Sequence, residues 1–122
     1  MPRHVLPEEK IHPAVREKVA THHLDIVEEV RKAVAENDVV VVGMAINPHP
    51  KRARRLLEQR GIPYRYLEYG SYLSQWRRRN ALKMWTGWPT FPMVFVKGTL
   101  VGGASDLAKL AESGELERML GR

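Results

Sequence analysis

The chain has 122 residues, and its 20 Lys plus Arg against 14 Asp plus Glu give a formal charge of +6. This length accommodates one domain with one core, and the longest apolar run is too short to span a membrane; with no signal-peptide pattern at the start, we expect a cytoplasmic protein. Cysteine is absent, which excludes disulfides, thiolate nucleophiles and cysteine-ligated metal clusters supplied by this chain.

The first predicted element is an N-terminal arm. Residues 1–20 contain three prolines and mixed charges, which predict an extended arm with one helical turn between Pro13 and Ala20. A folded domain is expected over residues 21–122. It begins with apolar residues at helical spacing, which predict a helix over 22–36. Four consecutive valines then predict a strand over 39–42 that is covered on both faces.

Turn-forming residues divide the rest of the chain into short elements. Pro48 opens a basic helix that Gly61 ends. Ser71 is expected to cap a helix that runs to about Met84. The remaining predicted elements are strands over 64–68, 93–96 and 99–101 and helices over 105–112 and 115–120. This order predicts an α/β fold with a four-stranded mixed sheet flanked by helices, in which a right-handed crossover makes the first two strands parallel.

Three stretches of sequence resemble the glutathione-binding parts of one known family. They are the strand, loop and helix "VVVVGMAINPHPKRARRLL", the loop and hairpin "WPTFPMVFVKG", and the turn into a helix "VGGASDL". Together they resemble a glutaredoxin, and "RNALKMWTGWPTFP" is similar to the single-cysteine, monothiol subgroup. The resemblance implies a thioredoxin-like fold and a cis peptide between Phe91 and Pro92. It also implies an exposed main-chain edge at Phe91, where the family pairs the main chain of glutathione.

The chain lacks the reactive cysteine of the family that it resembles. Asn47 occupies the nucleophile position and Pro50 the resolving position, so no residue is assigned a catalytic role. An amide neither attacks a disulfide nor replaces a thiolate on an iron–sulfur cluster, and we expect no cofactor and no metal. The favoured role of Asn47 is to cap the helix by accepting the His49 amide, with direct ligand contact as the alternative.

The resemblance also assigns a remnant groove for glutathione or an extended peptide. Met44 replaces a lysine that the family uses for a carboxylate, whereas Arg79 matches a family arginine that could still pair with one. Ser105 and Asp106 either receive the γ-glutamyl end or merely cap the helix that follows. The predicted ligand-binding residues are Asn47, Arg79, Thr90, Phe91, Pro92, Gly103, Ser105 and Asp106.

These observations favour a non-redox binding or regulatory module that has a protein partner. One alternative is glutaredoxin-type electron transfer with a thiol supplied by glutathione or by a partner chain. Another is nucleic-acid binding through the basic runs at 51–55 and 77–79, although a solvated basic helix face is the favoured explanation of those runs. Trp85 is expected in the core, while Trp76 and Trp88 fit either core packing or protein contact.

Overall fold

The computed structural model describes residues 3–71 and 73–122. A short 3₁₀ helix, Glu8–Lys10, precedes all other elements. The elements that follow are α1 Pro13–Thr21, α2 Leu24–Glu36, β1 Val39–Gly43, α3 Pro48–Gln59, β2 Arg65–Glu68, α4 Trp76–Thr86, β3 Met93–Val96, β4 Thr99–Gly102, α5 Ala104–Ser113 and α6 Glu115–Met119.

The four strands form one mixed sheet in the order β2-β1-β3-β4. β1 pairs with β2 in parallel and with β3 in antiparallel orientation, and β3 pairs with β4 as a hairpin. The hairpin turn places Lys97 and Gly98 at φ 51° and 81°, and two positive φ angles give the turn the twist that the strands require. The predicted mixed sheet and its parallel first pair are confirmed.

The valines of β1 explain why the sheet is covered on both sides. Alternate side chains of a strand point to opposite faces. Val40 and Val42 belong to a core formed with α2 and α4, and Val39 and Val41 to a second core formed with α3, α5 and α6. β1 therefore lies at the centre of the domain, and its last residues deliver the following loop to one end of the sheet.

The N-terminal arm contains more helix than the sequence predicted. His12 accepts the Ala14 amide at 3.0 Å through its ring Nδ1, and Pro13 takes the first helical position of α1, so the helix starts with a cap that composition does not suggest. No residue of α1 is buried. The Arg3 guanidinium lies against Gly87 at the C-terminal end of α4, a position that suits a cation.

The helix predicted to follow a Ser71 cap begins four residues later, at Trp76 with Gln75 as its cap, so the predicted start was wrong. The Ser71 amide donates to Ser74 Oγ at 3.0 Å, which closes a local turn. Gln75 then takes a left-handed conformation at φ 56°, which interrupts any continuous helix. Tyr72, within the predicted helix, lies outside the described residues.

The tryptophans occupy three different environments. Trp85 stacks on Phe95 with ring centroids 5.9 Å apart but remains 38% exposed, so its expected core position was wrong. Trp88 is half-buried. Trp76, at the start of α4, is 52% exposed.

Candidate functional site

The loop after β1 ends in a capped helix start. Asn47 Oδ1 accepts the His49 amide at 2.9 Å, and Pro48 and Pro50 take the first and third positions of α3. The predicted cap is therefore confirmed. Because proline has no amide, this first turn lacks two of the donors that a helix start ordinarily presents to an anion.

Beside this turn lies an open groove of about 240 Å³. Its lining residues are His49, Trp88, Thr90, Phe91, Pro92, Gly103, Ala104, Ser105 and Asp106. The structure thus brings together six of the eight predicted ligand-binding residues, those from the loop before β3 and from the start of α5. The Phe91–Pro92 peptide is cis, as the resemblance implied.

The Phe91 main chain forms one wall of this groove. Phe91 precedes β3 and is not part of a strand pair. Within residues 3–71 and 73–122, neither its amide nor its carbonyl has a main-chain hydrogen-bond partner. Its side chain is buried in the α2 and α4 core, and the Lys83 ammonium lies 5.9 Å from the ring centroid. A donor and an acceptor are therefore presented on a rigid support.

The start of α5 forms the opposite wall. The Gly103 amide donates to Asp106 Oδ2 at 2.9 Å, so Asp106 caps the helix. Gly102 has φ 111°, and a Cβ there would lie 2.6 Å from the same carboxylate oxygen, so this turn requires glycine. Asp106 forms no ion pair within the described part of the chain, and its charge faces a groove without a fixed cation.

Arg79 and Asn47 do not line this groove. Arg79 is only 6% exposed, and its Nη1 donates to the carbonyls of Tyr69 at 2.9 Å and Ser74 at 2.6 Å. It therefore anchors the chain leading into α4. Met44, at the position of the family lysine, is buried in the α2 and α4 core.

Sequence patterns did not identify three of the groove residues, namely His49, Trp88 and Ala104. The Trp88 amide donates to Thr86 Oγ1 at 3.1 Å, while its indole Nε1 is buried and has no partner among the described residues. The three residues come from separate elements, so only the fold places them together.

A second pocket, of about 400 Å³, lies on the other side of the α3 start. Its lining residues are Met44, Ile46, Asn47, Pro48, Lys51, Arg54, Tyr66 and Glu68. The Arg54 guanidinium lies 4.1 Å from the centroid of the Tyr66 ring. Burial, together with the hydrogen bond that the Tyr66 hydroxyl donates to Glu68 at 2.9 Å, raises the pKa of Tyr66 to about 12. Asn47 is a lining residue of this pocket and not of the groove.

The two basic runs differ in solvent exposure and in ion pairing. Arg78 pairs with Asp25 at 2.9 Å and Arg79 is buried, so of the run at 77–79 only Arg77 is an exposed cation without an ion pair. On α3, Lys51, Arg52 and Arg55 are exposed and Arg54 is half-buried. The basic run on α3 therefore presents more cations to solvent than the run at 77–79.

No group of three or more His, Cys, Asp or Glu side chains in the described ranges is arranged to hold a metal ion. None of the described helices combines the length and the apolarity that crossing a membrane would take.

Comparison with known proteins relates the chain to one family. Residues 47–101 match a family model described as glutaredoxin. A "Glutaredoxin-like protein" of Dictyostelium discoideum is 47% identical over 98 residues, covering 80% of each chain. The mitochondrial "Monothiol glutaredoxin-S15" of Arabidopsis thaliana is 32% identical over 99 residues, covering 73% of this chain and 57% of its own length. A crystal structure of a buckwheat glutaredoxin–glutathione complex superposes with a TM-score of 0.71 at 27% identity, covering 83% of this chain and 92% of that one.

Proposed function

This chain belongs to the glutaredoxin family, and we propose that it is a cysteine-free binding module whose groove holds glutathione or an extended peptide without reacting with it. Thiol–disulfide exchange begins with attack by a thiolate. The chain has no cysteine, and the amide of Asn47 stands where that thiolate would be. Its oxygen is already engaged with the His49 amide.

The observation that carries the proposal is the unpaired Phe91 main chain facing the start of α5. An extended peptide can pair with such an edge through its own amide and carbonyl. Across the groove, helix amides suit a carboxylate, and the Asp106 carboxylate suits an ammonium group. The γ-glutamyl end of glutathione carries both charges, so its main chain and its terminus match the two walls.

Nuclear magnetic resonance titration with reduced glutathione tests the ligand. Saturable shifts at Thr90, Phe91 and Ser105 are expected at millimolar ligand, and S-methylglutathione should give the same shifts because the thiol makes no bond. No shift at these residues would overturn the glutathione half of the proposal.

A matched pair of α5 variants tests the charge. Asp106→Asn keeps an oxygen that can accept the Gly103 amide but removes the negative charge. We expect its affinity for glutathione to fall about tenfold, the effect of losing one charge-assisted hydrogen bond. Glu112→Gln, an exposed neutralisation at the far end of α5, is the control and should bind like the wild type.

The non-redox half of the proposal has its own assay. Reduction of a glutathionylated peptide is measured with glutathione and with heat-inactivated protein as the blank. We expect turnover equal to the blank. Turnover clearly above it would show that a thiol supplied by glutathione can replace the missing residue, and would favour the enzymatic alternative.

A further inference from the structure

Three large apolar side chains are exposed around the end of the sheet where Asn47 lies. Ile46 is 85% exposed, Leu73 is 96% exposed and Trp76 is 52% exposed. The Ala45 amide donates to the Gly70 carbonyl at 2.6 Å, which ties the loop of Ile46 to the loop of Leu73. These three side chains, named here the apolar rim, lie outside the groove. Large apolar groups collected at one end of a small domain indicate a contact surface.

Ile46 adopts a backbone conformation that is unfavourable for isoleucine. Its φ is +63°, in the left-handed region where a β-branched side chain is strongly disfavoured. Because the side chain is largely exposed, packing within the domain contributes little free energy to offset this strain. A glycine or asparagine would fit the turn better, so the isoleucine points to a role outside the fold.

The charges next to the apolar rim are mostly positive. Lys51 and Arg54 line the second pocket together with Ile46, and the Arg77 guanidinium lies 5.0 Å from the Trp76 ring centroid. Glu68 is the acidic residue of that pocket, and it accepts the Tyr66 hydroxyl. The surface therefore combines apolar anchors with cations.

We propose that the apolar rim and the second pocket dock an acidic protein segment, whose apolar side chain enters the pocket while its carboxylates meet Lys51, Arg54 and Arg77. The pocket has room for one large side chain and provides a donor set for carboxylates. Buried apolar anchors ringed by complementary charges are the usual form of such contacts. This docking surface is separate from the glutathione groove and does not depend on ligand binding there.

Charge and shape favour an acidic protein segment over two other occupants. A two-fold contact between copies of this chain would bring the cations of both copies together, in a protein whose net charge is already +6. A bilayer surface could take up exposed apolar side chains, but it is too flat to fill a concave pocket.

Selection of a phage-displayed library of random linear peptides on the immobilised protein tests the proposal. The enriched peptides should carry Asp or Glu beside Leu, Phe or Trp. A synthetic consensus peptide should then bind with an affinity that falls about tenfold for Leu73→Ser, Ile46→Gly or Lys51→Glu. Its affinity should also fall as salt increases.

Two matched controls separate docking from folding. Leu6→Ser removes another leucine of high exposure, 64%, from the N-terminal arm, and should leave peptide affinity unchanged. Ile46→Gly should be at least as stable as the wild type in urea, because it relieves the strained φ, so its loss of binding cannot be ascribed to unfolding.

The remaining outcomes overturn the docking proposal. They are failure to enrich peptides, enrichment of peptides without acidic residues, and equal binding by the rim variants. Sedimentation with phosphatidylserine–phosphatidylcholine vesicles in the absence of peptide enrichment would assign the surface to membrane. A dimer that Leu73→Ser abolishes would assign it to a second copy. Glutathione titration of Leu73→Ser should match the wild type. A loss of peptide binding can therefore be distinguished from a loss of glutathione binding in the groove.

Discussion

Replacing Asn47 by alanine measures the cap that stands in place of a reactive residue. The change removes one acceptor, Oδ1, from the His49 amide at 2.9 Å. Loss of an N-cap side chain costs about 1 kcal/mol, with exposed caps toward the lower end. For a chain of this size we expect the free energy of unfolding to fall by about 1 kcal/mol and Tm by about 4 °C.

Two further variants at Asn47 turn this into a series. Asn47→Asp keeps an acceptor and places a negative charge at the positive end of the α3 dipole, so it should be stabilising by about 0.5 kcal/mol. Asn47→Gly should cost only a few tenths of a kcal/mol, because glycine tolerates the cap position. Urea unfolding followed by circular dichroism gives all four free energies, and a constant m value shows that the unfolded state is unchanged.

The series distinguishes a cap from a ligand contact. If Asn47 only caps the helix, glutathione affinity should stay the same in all four proteins while stability follows the order Asp, Asn, Gly, Ala. An alanine variant that is as stable as the wild type would refute the reasoning. If it also lost affinity for glutathione, Asn47 would be a ligand contact, which is the alternative that the sequence left open.

The remaining predictions concern the same end of the domain and its supports. Asn47→Cys should give a thiol whose pKa lies within about one unit of the free value of 8.5, since the prolines of the first turn withhold amides. The rate of alkylation by iodoacetamide should therefore rise with pH above neutrality, and a rate that does not change with pH would contradict this. Gly43→Ala should cost about 2 kcal/mol in urea unfolding, because its Cβ would lie 2.7 Å from Pro50 Cβ, and a gain in stability would disprove that contact. Burial raises the pKa of Tyr66 to about 12 and also raises the pKa of Tyr69, whereas both phenols ionise near 10 when unfolded. Stability should therefore hold below pH 10 and fall as pH rises toward 12, and a flat profile above pH 10 would count against it.

The central strands were predictable because their signal is local. Four valines in a row have few solutions other than a strand covered on both faces, and the structure buries all of residues 39–42. Lys97-Gly98 between two apolar runs predicts a hairpin by the same logic. The Asn47 cap was also readable, since asparagine followed by proline is a direct helix-start signal.

The errors come from features that hydrophobic spacing and common capping residues do not reveal. The cap of α1 is a histidine ring, which is not among the common capping residues. The start of α4 is set by the left-handed Gln75 and by Arg79, which reaches back to the carbonyls of the preceding turn. The same contact keeps Arg79 out of the groove. Matching a residue to a family position gives no information about how deeply its side chain is buried. A side-chain hydrogen bond or a backbone angle decided each of these cases, and neither follows from the spacing of apolar residues.

The main-chain part of the groove is robust to sequence change in a way that the reactive part is not. The Phe91 amide and carbonyl are presented by the backbone path, and the α5 amides are presented by the turn at Gly102 and Gly103, so no single side chain supplies them. Thiol chemistry depends on one sulfur atom, and one substitution at position 47 removes it completely. We therefore expect a glutaredoxin fold that loses its cysteine to lose reaction before recognition. If instead glutathione failed to bind while the fold and the Asn47 cap were intact, recognition in this fold would depend on the thiolate itself, and the groove would have no function of its own.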